Sequence, residues 1–358
     1  MRKGRRIQMK RLIQLLFLIS LSVLLCFCGS QGQVDSPVAS EPEPTPTAVS
    51  TIDAVDELVL VTPVPTDTPE PPTPTPEPTP TPTPSPTPTP EPTPEPTGLI
   101  GWTEGGFVPR EEQTVTDTEY KGEKLHFTVS TVFDDTTFKS EVTYYVTDIY
   151  LRDINCIRTA AAGTFKSKTR DNVDHIAKHV NALLAISGDM FNAHKHRLVI
   201  RNGEVYDKKL YSDWEVCFLY LDGTMETMTA DEYKIALLRD DIWQAWQFGP
   251  SLLDKEGHAL TQFPHSRVRP QNPRCVIGYY EPGHYCFVTV DGRQKGHSLG
   301  LELVELARLM ESLGCKLAFN LDGGESASLY WNGRIYSKPC NGGREMADIV
   351  YLIEPDDN

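Results

Sequence analysis

The sequence predicts an α+β fold in which mixed β-sheets pack with a few helices. Leu125–Phe133 and Val142–Leu151 alternate apolar and polar residues, as strands with one buried face do. Glu302–Leu313 instead has apolar residues at helical spacing, and Gly314 follows it as a residue that commonly ends helices. Both patterns occur within one continuous stretch, which is long enough to form a large domain with a real core.

The other elements follow the same two patterns along the chain. Helices are predicted at Asp171–Asn181, with Asp171 or Asn172 near the N-cap, and at Ala230–Leu238 and Leu299–Leu313. Short apolar runs predict further strands at Leu183–Ser187, Arg197–Arg201, Val216–Leu221, Val276–Tyr280, Tyr285–Val290 and Lys316–Leu321. Glu281-Pro282-Gly283 predicts the turn of a hairpin. This set of strands indicates two sheets.

The chain is divided into three regions by composition. Residues 1–28 have a basic start and an apolar run, Leu12–Cys28, which predict a signal or membrane anchor. The run is short for a bilayer span of about 20 residues; a retained anchor is favoured, and cleavage or lipidation at Cys26 or Cys28 are alternatives. Residues 29–119, with their Thr-Pro and Glu-Pro repeats, predict a disordered linker. Residues 120–358 form the predicted domain, which we expect to be extracellular, either cell-surface anchored or secreted.

The net charge of the chain indicates which classes of partner it can bind. The formal net charge is −15 at pH 7. Nucleic-acid binding calls for a basic face, so the sequence predicts no nucleic-acid partner. Contact with a membrane is expected only through the N-terminal segment.

Cysteine usage permits disulfides in the predicted domain but does not require them. Its six cysteines are Cys156, Cys217, Cys275, Cys286, Cys315 and Cys340. Cys275 and Cys286 flank the predicted hairpin turn and are expected to be the nearest pair. The favoured interpretation is that most of the six are small buried apolar residues, because their spacing fits neither a metal site nor a disulfide framework.

The most informative motif is Asn320-Leu321-Asp322-Gly323-Gly324-Glu325-Ser326, directly after a predicted strand. An acid at a strand end places a carboxylate at the sheet edge, where sites of open sheets are found. The two glycines lack Cβ atoms and allow close backbone approach by a ligand. An isolated Asp-Gly pair is more often a plain turn, which is the interpretation of Asp222-Gly223.

A series of motifs in a fixed order accompanies this one. It includes Ser187-Gly188-Asp189-Met190-Phe191, Phe248-Gly249-Pro250, Asn272-Pro273-Arg274, Asp291-Gly292-Arg293 and Asn341-Gly342-Gly343-Arg344. With this order over about Lys124 to Ile353, the chain resembles the phosphodiester glycosidase family. The resemblance implies hydrolysis of a bond between a sugar and a phosphodiester. One departure is Glu325, where relatives usually have a small residue.

The resemblance and the residue types together predict the site. The candidate catalytic residues are Asp322, Asp291, Asp189 and Glu325, because glycosyl transfer to water uses paired carboxylates. The candidate substrate-binding residues are Arg274, Arg293, Asn320, Gly323, Gly324, Ser326 and Arg344, in which guanidinium groups and backbone N–H groups suit phosphate oxygens. Glu325 either adds a carboxylate to the site, fills space there, or points to solvent.

No cofactor is predicted with certainty. Oxygen ligands around Asp322 would suit Ca²⁺ or Mg²⁺, and His194 and His196 could together bind metal or substrate; the metal is therefore unknown. Trp243, Trp246, Phe248 and Trp331 could stack on sugars, but at least half of these aromatic residues are expected in the core.

Two functions from different classes follow. The first is an extracellular hydrolase that cleaves a glycosyl-phosphodiester bond in a cell-surface or wall glycan. The second is a surface protein that binds glycans or assists exopolysaccharide assembly without catalysis, which Glu325 would favour. A carbohydrate is the expected partner in both.

Overall fold

Three antiparallel β-sheets form the body of the protein in the computed structural model, which describes residues 106–193, 197–209, 214–236, 239–264, 266 and 268–356. The strands of the described part are, in chain order, β1 (Thr114–Val115), β2 (Glu119–Lys121), β3 (Leu125–Asp134), β4 (Val142–Leu151), β5 (Ile157–Ala161), β6 (Leu184–Ser187), β7 (Leu198–Arg201), β8 (Glu204–Lys208), β9 (Val216–Tyr220), β10 (Met225–Met228), β11 (Ile242–Trp246), β12 (Arg274–Glu281), β13 (His284–Val290), β14 (Leu317–Asn320), β15 (Leu329–Trp331), β16 (Arg334–Ile335) and β17 (Asp348–Leu352). The helices of the same part are α1 (Val173–His179), α2 (Ala230–Ala236) and α3 (Leu303–Ser312).

The strand order shows how the chain folds back on itself. The first sheet has the order β1-β2-β3-β4-β13-β12-β14. The second has the order β10-β9-β11-β7-β8, and the third has the order β16-β15-β6-β17-β5. β12 lies between β13 and β14, with Arg274 opposite Val290 and Val276 opposite Asn320. The start of β12 therefore meets the ends of β13 and β14 at one edge of the first sheet.

The first sheet is covered on both faces. Cys275 and Ile277 of β12 belong to the largest apolar cluster, which also contains residues of the second and third sheets. Val276 belongs instead to a second cluster, together with Leu306 and Met310 of α3. Alternate residues of a strand point to opposite faces, so β12 is buried between α3 on one side and the other two sheets on the other.

α3 is the longest helix of the described part, and its ends explain its position. The Glu302 backbone N–H donates to the Glu305 carboxylate (2.9 Å), and the Glu302 side chain accepts from the first turn in return, which forms a capping box. At the other end Gly314 adopts φ +81°, a left-handed conformation that favours glycine, and Cys315 N–H donates to the Met310 carbonyl (3.2 Å). The helix end predicted at Gly314 is confirmed.

The predicted fold class is right in outline, although the domain is mostly β, with 15% helix and 41% strand. Two sheets were predicted and three are found among the described residues. The difference arises mainly from short strands, such as β15 and β16 of three and two residues, in which no alternation can be recognised. Trp243 and Trp246 lie in β11 and Trp331 lies in β15, and all three are buried.

Several predictions fall on other parts of the chain. Residues 1–28, the linker as far as residue 105, and His194 and His196 lie outside the described residues. Within the part that the structure describes, none of the helices has the length and apolar character needed to cross a membrane.

The six cysteines of the domain are all buried and unpaired, as the favoured interpretation expected. The expected nearest pair was wrong. Cys275 lies opposite Thr289, three residues from Cys286 on β13, and an odd separation places the two on opposite faces of the sheet. Cys286 lies instead beside Cys315, with the two Sγ atoms 3.6 Å apart.

Refolding with oxidised glutathione is expected to join Cys286 and Cys315. The two thiols lose two protons and two electrons to the added disulfide, which is reduced to two thiols. Closing a loop of this kind typically stabilises a domain by about 2–4 kcal/mol, measurable by urea unfolding. Peptide mapping identifies the bond, and Cys315→Ala is the control. A bond between Cys275 and Cys286 would contradict the assigned sheet faces.

Candidate active site

The edge where β12, β13 and β14 meet contains a cavity of about 170 Å³. Eight of the predicted site residues line it: Asn320, Asp322, Gly323, Gly324, Glu325, Arg274, Arg293 and Arg344. These residues come from a strand end, a strand start and two loops, and the antiparallel register brings them together. The sequence thus identified most of the cavity, although spacing alone could not show that the separate motifs meet.

Asp322 lies in the cavity wall, two residues after the last residue of β14. Only 5% of its surface is exposed. Its backbone N–H donates to the Gly188 carbonyl (2.9 Å), and Ser187 Oγ donates to its carbonyl (2.5 Å). These two bonds fix the residue between the first and third sheets. Its carboxylate accepts from Arg344 Nη2, at 3.0 Å and 3.3 Å.

The environment of the Asp322 carboxylate sets its charge. Burial raises the pKa of Asp322 above the usual range, whereas the hydrogen bond with Ser326 and the positive charge of Arg344 oppose this shift. Arg197, which is also buried, acts on Asp322 in the same direction as Arg344. The result is a rigid carboxylate with a raised pKa in a small cavity, which is the setting expected of a group that handles protons or stabilises positive charge.

Gly323 and Gly324 are required mainly by the protein itself. A Cβ atom on Gly323 would lie 2.6 Å from the Pro273 carbonyl oxygen, a clash with backbone that cannot yield. Gly324 adopts φ +61°, and a Cβ atom there would lie 3.2 Å from Arg293 Nη2. The close backbone approach predicted from these glycines is therefore to the start of β12 and to Arg293. Since both glycines also line the cavity, access by a ligand is retained.

Two arginines form the other wall of the cavity. Arg274 is 2% exposed, and its guanidinium donates to the carbonyls of Leu301 (2.9 Å) and Pro270 (2.6 Å). Burial first, and then the charge of Arg293, lower the pKa of Arg274 to about 10. Arg293 is more exposed, and its Nε and Nη2 donate to Asn272 Oδ1 (3.0 Å and 2.7 Å).

Neither Arg274 nor Arg293 makes an ion pair with any carboxylate of the described residues. The positive charge of Arg293 disfavours the charged form of the buried Arg274. An anion bound between them would remove this cost. This wall is therefore suited to a negatively charged ligand group.

Glu325 lines the cavity and is partly exposed. Its Oε1 accepts from Asn341 Nδ2 (2.7 Å), and its backbone carbonyl accepts from the Arg344 N–H (3.1 Å). The side chain is thus held at the cavity rim. Whether this carboxylate acts in the site, fills space there or faces solvent stays a prediction.

Three predicted residues lie outside the cavity lining. Ser326 is 0% exposed and accepts a hydrogen bond from Arg344 Nε (2.6 Å), so it holds Arg344 in place for Asp322. Direct contact with substrate, as predicted for Ser326, would require an exposed hydroxyl.

Asp189 is also 0% exposed. Its carboxylate accepts from Arg201 Nη2 (2.7 Å) and from the Gln247 backbone N–H (2.7 Å). Asp348 lies next to it, 3.7 Å from Arg201, and burial followed by the charge of Asp189 raises the pKa of Asp348 well above its usual value. The structure places Asp189 in a buried charge cluster behind the site, where a catalytic role by direct contact is not possible.

Asp291 is 1% exposed and lies beneath the loop that contains Arg293. Its carboxylate accepts from Tyr145 Oη (2.9 Å) and the Lys338 N–H (3.1 Å), and it contacts His297 Nε2 (2.8 Å). Ser298 Oγ donates to its carbonyl (2.6 Å). These contacts fasten both ends of the loop, and they leave the Asp291 carboxylate buried outside the cavity lining, where the structure shows no direct access to a ligand.

Three residues that line the cavity were not among the predicted catalytic or substrate-binding residues: Phe248, which was weighed for stacking on a sugar, Val268 and Asn272. Phe248 and Asn272 belong to motifs that carried the family resemblance, which was the available signal for them. Val268 lies in an irregular segment without any pattern. No group of three or more His, Cys, Asp or Glu side chains that could hold a metal ion occurs in the described ranges.

Comparison with known proteins identifies a similar family. Residues 180–353 match the model of the phosphodiester glycosidase family (NAGPA). The uncharacterized protein YomE of the SPbeta prophage, from Bacillus subtilis (strain 168), is 27% identical over 257 residues, which are 65% of this chain and 39% of that protein. This chain therefore spans about two fifths of the length of that relative.

One solved structure shares the fold. The catalytic domain of zebrafish N-acetylglucosamine-1-phosphodiester alpha-N-acetylglucosaminidase, auto-inhibited by its pro-peptide, superposes with a TM-score of 0.54 at 19% identity, over 69% of this chain and 92% of that one. A hypothetical protein from Synechocystis has a TM-score of 0.43 at 14% identity, over 64% and 62% of the two chains.

Proposed function

We propose that the protein hydrolyses the bond between the anomeric carbon of a sugar and a phosphodiester, because residues 180–353 match the model of the phosphodiester glycosidase family. One observation carries the proposal. Arg274 and Arg293, without a carboxylate partner in the described part, line the same small cavity as the carboxylates of Asp322 and Glu325. A negatively charged leaving group and a reacting carbon that becomes positive need these two kinds of charge side by side.

The roles follow from position and charge. Arg274 and Arg293 hold the phosphodiester and stabilise the negative charge that it gains as it leaves. Asp322, oriented by Arg344, faces the anomeric carbon as a carboxylate and stabilises its developing positive charge. Glu325, at the partly exposed rim, is placed to accept a proton from the attacking water. A phosphodiester leaves readily, so a strong general acid is not essential.

The N-terminal sequence suggests where the substrate occurs. A basic and apolar start followed by a Thr/Pro-rich stretch supports export and attachment at the cell surface. We therefore propose wall or capsule polymers with sugar-1-phosphodiester groups as substrates. Release of sugar from purified wall polymer, beside a small synthetic diester, tests this choice in one assay.

The effect of Arg293→Gln should depend on the charge of the substrate. For the methyl phosphodiester of N-acetylglucosamine 1-phosphate, kcat/KM should fall by about 10²–10³-fold, as expected for loss of one charged donor to a developing anion. A neutral 4-nitrophenyl glycoside of the same sugar should be affected far less.

Arg308→Gln is the matched control, because it removes the same charge from the exposed side of α3. Equal impairment of both substrates by Arg293→Gln would show that Arg293 only supports the loop. Binding of the diester without any sugar release by the wild-type protein would favour a glycan-binding function.

A further inference from the structure

A second cavity, of about 380 Å³, adjoins the candidate active site. Its lining consists of residues 261–264, Arg269, and residues 302–304 at the start of α3. This volume falls within the range of about 300–1,000 Å³ that is usual for ligand sites, whereas the first cavity is smaller. The second cavity therefore has room for a part of a ligand that the first cavity cannot also hold.

Arg274 lies between the two cavities. It lines the first cavity, and its guanidinium donates to the carbonyls of Pro270 (2.6 Å) and Leu301 (2.9 Å). Pro270 follows Arg269 in the chain, and Leu301 precedes Glu302. Both acceptors are therefore directly next to residues that line the second cavity.

The order of the two cavities follows from this position. Asp322 lines the first cavity and is absent from the lining of the second. Val268 lines the first, and the next residue, Arg269, lines the second. Since consecutive Cα atoms are about 3.8 Å apart, a bound chain needs to cross little more than one residue to reach the second cavity. In the proposed reaction the anomeric carbon lies at Asp322 and the phosphate at Arg274, so the second cavity lies on the leaving-group side.

The lining of the second cavity contains a positive charge that no carboxylate compensates. Arg269 is exposed, and its guanidinium makes no ion pair with a carboxylate of the described residues. Glu302 lines the same cavity, but its carboxylate accepts from Lys139 Nζ (2.8 Å). An anionic group of a ligand could therefore bind Arg269 without displacing another partner.

The remaining lining suits a hydroxylated ligand. Thr261 and Gln262 are exposed and contribute a hydroxyl and an amide group, which both donate and accept hydrogen bonds. Phe263 is 7% exposed and adds an apolar surface, against which the C–H groups of a sugar or polyol can pack. A few polar groups around an apolar surface are typical of sites for small ligands.

We propose that the second cavity binds the alcohol side of the phosphodiester, a hydroxylated unit whose own phosphate group contacts Arg269. The inference rests on the proposed function, which places the phosphodiester to be cleaved at Arg274 and Arg293. Hydrolysis then releases a unit with a phosphate group at each end. The substrate class is therefore a polymer in which phosphate groups join successive hydroxylated units, since a simple diester lacks the second phosphate.

The test uses the full-length protein and diesters of N-acetylglucosamine 1-phosphate in which the alcohol is methanol, glycerol or glycerol 3-phosphate. For the wild-type protein, kcat/KM should be higher for the glycerol diester than for the methyl diester, and highest for the glycerol 3-phosphate diester. The terminal phosphate should add about 10–100-fold, the usual effect of a hydrogen bond to a charged group. Arg269→Gln should remove that gain.

Arg308→Gln is the matched control, because it removes an exposed positive charge that lines neither cavity, and it should keep the full gain. Equal kcat/KM values for all of these diesters would overturn the inference and leave the proposed function standing. A gain that persists in Arg269→Gln would place the second phosphate elsewhere and overturn the inference as well. No release of sugar from any of the diesters would overturn both.

Discussion

Asp322→Asn should lower kcat/KM for a sugar-1-phosphodiester by about 10²–10⁴-fold, the usual contribution of one group that handles charge or protons at the reacting centre. The carboxylate is buried, lines the cavity and is held by Arg344 at 3.0 Å. Asparagine has the same shape, so the hydrogen bonds of the residue 322 backbone with Gly188 and Ser187 are kept. Its neutral amide cannot stabilise positive charge. The measurement is steady-state release of sugar.

Controls separate chemistry from folding. Asp231→Asn makes the same chemical change on an exposed helix residue of α2 and should leave activity unchanged. The melting temperature of Asp322→Asn should lie close to that of the wild type, because the variant removes a buried charge whose formation is already disfavoured. A stable Asp322→Asn protein with full activity would exclude Asp322 from the mechanism.

The raised pKa of Asp322 predicts how activity should depend on pH. If Asp322 acts as a carboxylate, activity is lost as pH falls through its pKa, which burial raises above the ordinary aspartate value. The acidic limb should therefore lie at higher pH than for an exposed aspartate. Arg344 opposes the shift, so Arg344→Gln should move the limb to still higher pH.

The sequence predicted the site residues that lie at or directly after the ends of β-strands. Asn320 to Glu325 follow a recognisable strand, and Arg274 begins another, so their convergence needed only the correct strand order. The antiparallel placement of β12 between β13 and β14 could not be read from periodicity, because alternation gives the face of a residue and not the neighbour of a strand.

Asp189 and Asp291 show where that reasoning fails. Both follow a strand and precede or follow a glycine, the same local pattern as Asp322. The outcome differs because Arg201, 12 residues after Asp189, and Tyr145, 146 residues before Asp291, supply the two carboxylates with buried partners. A local motif indicates that a carboxylate is present at a sheet edge, whereas tertiary contacts decide whether it faces a ligand or the interior.

The buried charge cluster behind the site has the largest expected effect on stability. Arg201, Asp189 and Asp348 all have 0% exposed side chains, so Arg201 compensates the charge of Asp189 without water. Arg201 Nη2 lies 2.7 Å from Asp189 and 3.7 Å from Asp348. The raised pKa of Asp348 means that this carboxyl group holds a proton more strongly in the folded state than in the unfolded state.

Arg201→Met should therefore lower the free energy of unfolding by about 3–5 kcal/mol, because it leaves the Asp189 charge buried and uncompensated.

Asp348→Asn should lower the free energy of unfolding far less, because the asparagine amide resembles the neutral form of the acid. The proton on Asp348 contributes stability below the ordinary aspartate pKa, and this contribution is lost as pH rises through the raised folded pKa. Urea unfolding should thus show wild-type stability falling with pH across that window, and Asp348→Asn should show a flatter dependence. Arg308→Met, on the exposed side of α3, is the matched control. Equal destabilisation by Arg201→Met and Asp348→Asn, with unchanged pH dependence, would show that Asp348 is ionised in the folded protein.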